Sequence, residues 1–241
     1  MLARMYKSFL VLLLFLFAQY TFSQSLDSAL LKSALCQLEI GQEKCFMSLV
    51  SSLEIPKGET ILVIPEIEES GDEYAILNSH ILILDNSTGS IKSRFFNQKA
   101  WYTDAERINS IKISYQPYKL NPIFPSIGIV INYEVNSRVN PRGVDELNLY
   151  VRNGENIEVV LEKFAVNKSI GDRIALESVA YEVHNKLIES SSIITNGYYD
   201  LVVKHSISNF QFIDGEKKNI TNKLETEVLK YENGTYRLRK N

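Results

Sequence analysis

The stretch ELNLYVRNGENIEVVLEKF, residues 146–164, decides the fold class. Its two halves, Glu146–Val151 and Ile157–Phe164, are rich in residues typical of β-strands, and Asn153-Gly154 lies between them. An Asn-Gly pair between two such runs is the strongest short-range signal for a β-hairpin. The stretch therefore predicts two antiparallel strands joined by a tight turn.

Similar runs extend in both directions from this hairpin. Apolar residues alternate or cluster, and short polar turns separate the runs. Ala175–Ile188 is long and ambiguous, whereas Asn233-Gly234 predicts a last hairpin. The other predicted strands are Thr60–Ile64, Glu73–Asn78, His80–Leu84, Ile91–Phe96, Ile108–Ser114, Ile127–Tyr133, Gly197–Val203, Leu224–Tyr231 and Thr235–Leu238.

These elements predict a mainly β protein, an antiparallel meander of about ten strands. The short connections favour a curved sheet, an open barrel or a sandwich. A closed propeller needs at least about four blades of about four strands each, more than this chain supplies. We expect a single β-rich domain over residues 56–241.

The N-terminus has the order of a secretory signal peptide. Arg4 and Lys7 precede the apolar run Phe9–Ala18, and Ser23 offers a small residue at the cleavage point. The run is about ten residues long, whereas a membrane-spanning helix needs about 20. We therefore predict that residues 1–23 are removed and that the protein is exported, periplasmic or secreted, without an integral membrane span after cleavage.

Residues 24–55 are predicted to form a short helical segment ahead of the β domain. Apolar residues recur there at helical spacing, and Gly41 interrupts the pattern. The two cysteines of the chain, Cys36 and Cys45, flank this glycine. In an exported protein such a pair predicts a disulfide that closes a small loop. Two separate thiols on a helical segment are the alternative.

The composition argues against several classes of partner. The chain has 26 basic and 29 acidic residues, and the basic residues are scattered instead of forming a stripe. Nucleic acid is therefore not an expected partner. The chain also lacks a G-x-S-x-G sequence, so a serine hydrolase site is not expected.

Two neighbouring segments resemble a known family. Ser137–Gly143, SRVNPRG, and Leu147–Gly154, LNLYVRNG, look like the core of an uncharacterised family of exported bacterial proteins. Its members share an S-R-x-N-P-x-G loop and an L-x-L-Y-x-R-x-G strand. The resemblance implies a periplasmic or secreted location and no known activity.

A second likeness concerns the C-terminal strands. Asn196–Val203 and Leu229–Tyr236 are similar to the strands and hairpins of FG-GAP or integrin-type blade repeats. Those repeats carry a calcium loop of closely spaced Asp and Asn ahead of the strand. Glu189–Thr195 lacks that cluster, so the likeness does not extend to calcium binding.

The group most typical of a binding site is Ser137, Arg138, Asn140 and Arg142. Two guanidiniums with Ser and Asn donors in one loop are suited to hold a carboxylate, a phosphate or a sugar acid. The alternative is that Arg138 pairs with a nearby Glu and that the Asn-Pro-x-Gly segment is a specialised turn.

Other polar residues favour structural roles. His80, His184 and His205 are far apart in the sequence, with no second His or carboxylate at metal-ligand spacing. They are predicted to be structural, and neither a metal nor a cofactor is expected. Asp85–Gly89 favours a hairpin turn over a calcium loop, and Trp101 is predicted to anchor the core.

These features together favour a non-enzymatic exported protein that binds an envelope component, such as an envelope protein, or a small ligand. One alternative is a hydrolase or carbohydrate-active enzyme whose acid/base pair comes from distant carboxylates. Candidates for such a pair are Asp104, Asp145, Asp172 and Asp200. A structural or assembly factor is the other alternative.

Overall fold

The structure is a computed structural model that describes residues 28–175, 178–213 and 215–239. The described chain begins with helix α1, Ser28–Leu38, and two 3-10 turns, Gln42–Lys44 and Met47–Leu49. Twelve described strands follow in one sheet. They are β1 Ser51–Ile55, β2 Glu59–Ser70, β3 Ala75–Asp85, β4 Ile91–Thr103, β5 Arg107–Tyr115, β6 Ser126–Val135, β7 Arg142–Asn153, β8 Asn156–Ala175, β9 Ser178–Thr195, β10 Tyr198–Ile213, β11 Glu216–Glu232 and β12 Thr235–Arg239.

The strands form two antiparallel meanders. Strands β1–β4 pair in chain order, and β5–β12 do the same. A single parallel contact, Arg94 with Asn156, joins β4 to β8, and the sheet is not closed. The predicted mainly β, antiparallel meander is confirmed, but the described sheet has twelve strands where about ten were predicted.

Strand lengths differ from the prediction for identifiable reasons. The predicted strands Glu73–Asn78 and His80–Leu84 merge into one strand, β3, which begins at Ala75, because Ser79 is buried within it and does not form a turn. Strands β8–β11 are 16 to 20 residues long, well beyond their apolar runs. Backbone pairing continues there through polar residues, which carry no apolar signal in the sequence. The ambiguous Ala175–Ile188 holds the end of β8 and the first part of β9.

Asn-Gly pairs form two of the tight turns. Asn196 and Gly197 have φ angles of 51° and 83°, and Asn233 and Gly234 have φ angles of 51° and 85°. Each pair connects two strands through a two-residue loop. Two successive residues with positive φ are what a type I′ hairpin turn requires. The local sequence therefore sets these two hairpins.

The β7–β8 hairpin forms as predicted, but its turn lies one residue later. Asn153 pairs with Asn156, so that Gly154 and Glu155 are the two loop residues. Gly154 has a φ of 61°. A glycine at the first loop position suits a type II′ turn, the other common two-residue connection.

Three apolar clusters hold the sheet and the helix together. The first lies between β1–β4 and β5–β8 and contains Trp101, as predicted. The second lies among β7–β12 and includes Leu149, Leu201 and Leu229. The third packs α1 on β2 and β3.

Polar contacts tie the two meanders together beside the β4–β8 contact. Arg152 Nη1 lies 2.6 Å from Glu59 Oε2, and Arg152 Nε donates to Ser93 Oγ at 2.8 Å. Ser93 is buried, and its hydroxyl donates to the Gly154 carbonyl at 2.7 Å. One arginine on β7 therefore contacts both β2 and β4 of the first meander.

The predicted disulfide does not form, and both cysteines are free thiols. Ala34 and Leu35 lie on the buried face of α1, which packs on the sheet, whereas Cys36 lies on the exposed face. Cys45 is buried in the third cluster, and its backbone pairs with that of Glu66 in an isolated antiparallel β-bridge. Burial, together with the nearby carboxylate of Glu66, raises the pKa of the Cys45 thiol. A buried thiol of this kind is poorly reactive.

The helical segment predicted over residues 24–55 is shorter in the structure. Helix α1 ends at Leu38, and Ser51–Ile55 is strand β1, which pairs with β2. The predicted signal peptide, residues 1–23, lies outside the described residues. Among the described residues, no helix has the length and apolar character needed to span a membrane.

Candidate functional site

The predicted binding loop connects β6 to β7 and is held in place by its own backbone. Ser137 Oγ accepts hydrogen bonds from the backbone N–H groups of Val139 and Asn140, at 3.2 and 3.1 Å. The Pro141 carbonyl accepts from Gly171 N–H at 2.7 Å, and the Val139 carbonyl accepts from the backbone N–H of β8 at 2.9 Å. The loop is therefore attached to β8 along its length.

The four predicted binding residues divide into two pairs. Ser137 caps the loop, and Asn140, with its amide oriented to donate, reaches Asp172 Oδ1 at 3.2 Å. Arg138 and Arg142 are exposed, and neither forms an ion pair with a described residue. Arg138 therefore has no Glu partner among the described residues, whereas the Ser137 cap fits the specialised turn of the same alternative. Two guanidiniums remain available to a ligand.

A groove of about 330 Å³ lies beside this loop. Arg142 pairs in register with Ile170, which lines the groove together with Asp172. Tyr181 and Phe210 also line it, and their rings stack with centroids 5.5 Å apart. The groove thus combines aromatic, acidic and amide groups next to the two arginines. Such a mixed surface suits a polar ligand that also stacks.

A second polar cluster lies on β9, β10 and β11. His184 Nδ1 is 2.9 Å from His205 Nε2, and His184 Nε2 is 2.8 Å from Glu182 Oε1. His205 Nδ1 is 3.6 Å from Glu225 Oε2. Ligand atoms of His205, Glu225 and Glu227 all lie within 4.8 Å of one another. The histidines are 21 residues apart, but antiparallel pairing of β9 with β10 brings them together.

The environment of His205 favours its neutral form. The residue is only 8 % exposed, and Lys186 pairs with it directly across β9 and β10. Burial, and after it the positive charge of Lys186, lowers the pKa of His205. Lys223 Nζ lies 2.5 Å from Glu225 Oε1, and this hydrogen bond lowers the pKa of Glu225. The cluster thus presents a neutral imidazole to two carboxylates.

His80, the third histidine, has a different setting. His80 Nε2 is 2.8 Å from Glu66 Oε2, and Asn78 Nδ2 donates to both Glu66 and Glu68, at 3.1 and 2.9 Å. The His80 ring also packs on Phe96, with centroids 4.8 Å apart. These contacts fit the structural role predicted for this histidine.

The carboxylates considered for catalysis lie on separate elements. Asp104 follows β4, whereas Asp145, Asp172 and Asp200 lie on β7, β8 and β10. Asp145 pairs with Asn167, which precedes Asp172 by five residues on β8. At about 3.3 Å per residue, Asp145 and Asp172 are roughly 17 Å apart along the sheet. The carboxyl groups of glycosidase pairs are about 5 to 9.5 Å apart, so this pair does not fit.

The chain was compared with protein-family models, curated proteins and solved structures, and none of the three comparisons found a match.

Proposed function

We propose that the protein is an exported, non-enzymatic binding protein that holds an anionic group of an envelope component or a small ligand through Arg138 and Arg142. The observation that carries this proposal is that both guanidiniums are exposed and lack an ion-pair partner among the described residues, on a loop whose backbone is fixed. The signal-peptide pattern of residues 1–23 supports export.

A fixed loop matters because binding loses affinity whenever a flexible segment must be ordered. In this loop, the hydrogen bond from Gly171 N–H to the Pro141 carbonyl and the bond that Ser137 Oγ accepts from Val139 N–H already order the backbone when the protein folds. Binding therefore does not have to order it again. Arginine is suited to this role because its planar group binds carboxylate or phosphate through two parallel hydrogen bonds. The groove beside Arg142 gives the rest of the ligand a surface on which to lie.

The proposal is tested with a double variant, Arg138→Ala with Arg142→Ala. Three probes represent the anions that suit a pair of guanidiniums: inorganic phosphate, galacturonate and glutarate. Titration is followed by two-dimensional NMR of the backbone and arginine side-chain N–H signals. We expect saturable shifts confined to residues 137–143 and the adjacent groove for at least one probe, and no such shifts in the double variant.

The matched control is Arg107→Ala with Arg237→Ala, which removes the same charge from two exposed positions on other strands. Binding should survive in this control because it keeps the two loop arginines, whereas a general electrostatic attraction would weaken equally in both double variants. If no probe gives saturable shifts, or if the two double variants lose binding equally, the loop is not the binding site.

A further inference from the structure

We propose that His205, Glu225 and Glu227 bind a divalent transition-metal ion, with zinc the best chemical fit. The observation behind this proposal is a buried imidazole nitrogen, Nδ1 of His205, that has no hydrogen-bond partner in the described structure. It lies 3.6 Å from Glu225 Oε2, and Glu227 completes a three-residue group.

The proton positions in the cluster follow from its partners. A carboxylate only accepts hydrogen bonds, so His184 Nε2, which is 2.8 Å from Glu182 Oε1, carries a proton. Metal binding through Nδ1 requires the tautomer of His205 that carries its proton on Nε2, and His184 Nδ1, 2.9 Å from Nε2, is placed to accept that hydrogen bond. The remaining nitrogen, Nδ1, presents a bare lone pair.

This lone pair faces groups that have no proton to offer. Glu225 and Glu227 are partly exposed carboxylates, and three acceptors that face one another beside a buried imidazole repel unless a cation lies between them. The neighbouring cations do not fill that place. Lys223 lies on Glu225 Oε1, the oxygen that does not face His205, and Lys186 Nζ lies over the Phe164 ring, 4.4 Å from its centroid.

The geometry is close to that of a metal site. With metal–ligand bonds of about 2.1 Å, donor atoms around a tetrahedral zinc are roughly 3.4 Å apart. The 3.6 Å from His205 Nδ1 to Glu225 Oε2 already meets this spacing. All separations in the group are within 4.8 Å, so side-chain shifts of no more than about 1.4 Å complete the set.

The choice of ion follows from the donors. One imidazole nitrogen and two carboxylate oxygens suit zinc, and manganese or iron less tightly. The second nitrogen of His205 is held by His184, which Glu182 orients in turn. Ligand histidines in metal sites are commonly held in this way, and the hydrogen bond fixes both ring orientation and tautomer. The three ligands leave a fourth position open.

The test is calorimetric titration of the chelator-treated mature chain with zinc chloride, supported by the visible spectrum of the cobalt(II) form. We expect one ion per chain and the intense visible bands of tetrahedral cobalt. His205→Gln and Glu227→Gln should abolish these bands. His184→Gln should weaken zinc binding by about 10- to 100-fold, since it removes only the orienting hydrogen bond.

Two controls keep the outcome decisive. His80→Gln removes a histidine that also contacts a glutamate, Glu66. Among the described residues, His80 belongs to no group of three possible metal ligands, so zinc binding should be unchanged. The Arg138→Ala and Arg142→Ala double variant should also bind zinc normally, which separates this site from the proposed function.

Two results would overturn the proposal. One is the absence of stoichiometric binding of zinc, cobalt or manganese to the folded protein. The other is retention of the cobalt spectrum in Glu227→Gln, a conservative variant whose fold is checked by circular dichroism. Nitrogen-15 NMR of the zinc-loaded protein gives an independent check, since it must show His205 protonated on Nε2 alone.

Discussion

Replacing Arg152 with Met should destabilise the protein far more than a typical ion-pair deletion. The Arg152–Glu59 pair is mostly buried, with 25 % and 17 % of the two side chains exposed. Arg152→Met keeps most of the apolar stem but removes the hydrogen bonds to Glu59 and Ser93. A hydrogen bond to a charged group contributes about 1.5 to 3 kcal/mol, and the carboxylate left behind adds a desolvation cost of about 1 kcal/mol or more.

The expected loss is therefore about 2 to 4 kcal/mol. For a chain of this size it corresponds to a fall in Tm of roughly 4 to 16 °C, at about 2 to 4 °C per kcal/mol. The assay is urea unfolding followed by far-UV circular dichroism, with Glu59→Gln and the double variant completing a cycle. Coupling between the two positions should be about 1 to 2 kcal/mol, because they share one buried contact.

Arg239→Met is the matched control for this experiment. Arg239 Nη2 also lies 2.6 Å from a carboxylate oxygen, Glu232 Oε1, but 62 % of the arginine side chain is exposed. Exposed pairs contribute about 0 to 1 kcal/mol, so this variant should lose little stability. If Arg152→Met also costs under about 0.5 kcal/mol, burial does not strengthen the pair, and the contact does not hold the meanders together.

Three further predictions concern a turn, the core and one carboxyl group. Gly234→Ala should cost about 1 to 2 kcal/mol in thermal unfolding, because Gly234 has a φ of 85°; an unchanged Tm would contradict the left-handed turn. Ile129→Ala should cost about 2 to 5 kcal/mol and Ile129→Val about 0.5 to 1.5, because Ile129 is fully buried in the first cluster; equal losses in urea unfolding would contradict tight packing there. Hydrogen bonds from Ser87, and after it from Thr88, lower the pKa of Asp85 from 3.8 to about 2. The stability that Asp85 contributes is therefore present above pH 3.8 and is lost as the pH falls toward 2. Asp85→Asn should remove this part of the acid dependence of the urea midpoint; a variant curve parallel to the wild-type curve would contradict it.

The part of the fold that local sequence determines was predictable. Asn233-Gly234 adopts positive φ with little strain, so its hairpin was recognised without knowledge of the rest of the chain. Asn196-Gly197 carries the same signal, but Gly197 was predicted as the start of a strand and lies in the turn. Strand β1 was missed because Leu53 lies four residues after Leu49, at helical spacing, and only pairing with β2 makes this segment a strand. Tertiary contacts override local pattern in such short segments.

The candidate sites show the same limit. The Arg138 loop was recognisable because its donors are close together in sequence, although the structure uses Ser137 and Asn140 to support the loop. The His205 cluster was not recognisable, since its members come from three strands and meet only through strand register. The alternation of side chains along a strand places Glu182 with His184 on one face, and Glu225 with Glu227 on one face. Nothing in the sequence shows which strands are neighbours.

The unequal lengths of the last two strands affect how the protein avoids association with itself. Strand β12 pairs only with Val228–Glu232, so within the described residues the earlier part of β11 has no partner on that side. Such an unpaired backbone edge is a template for a strand from another molecule, and the exposed Leu224 increases that risk. Lys217, Lys218 and Lys223 place positive charges along this edge. Lys218 and Lys223 form ion pairs with Glu216 and Glu225, and a second strand aligned there would have to desolvate these charges, so self-association through this edge is unfavourable.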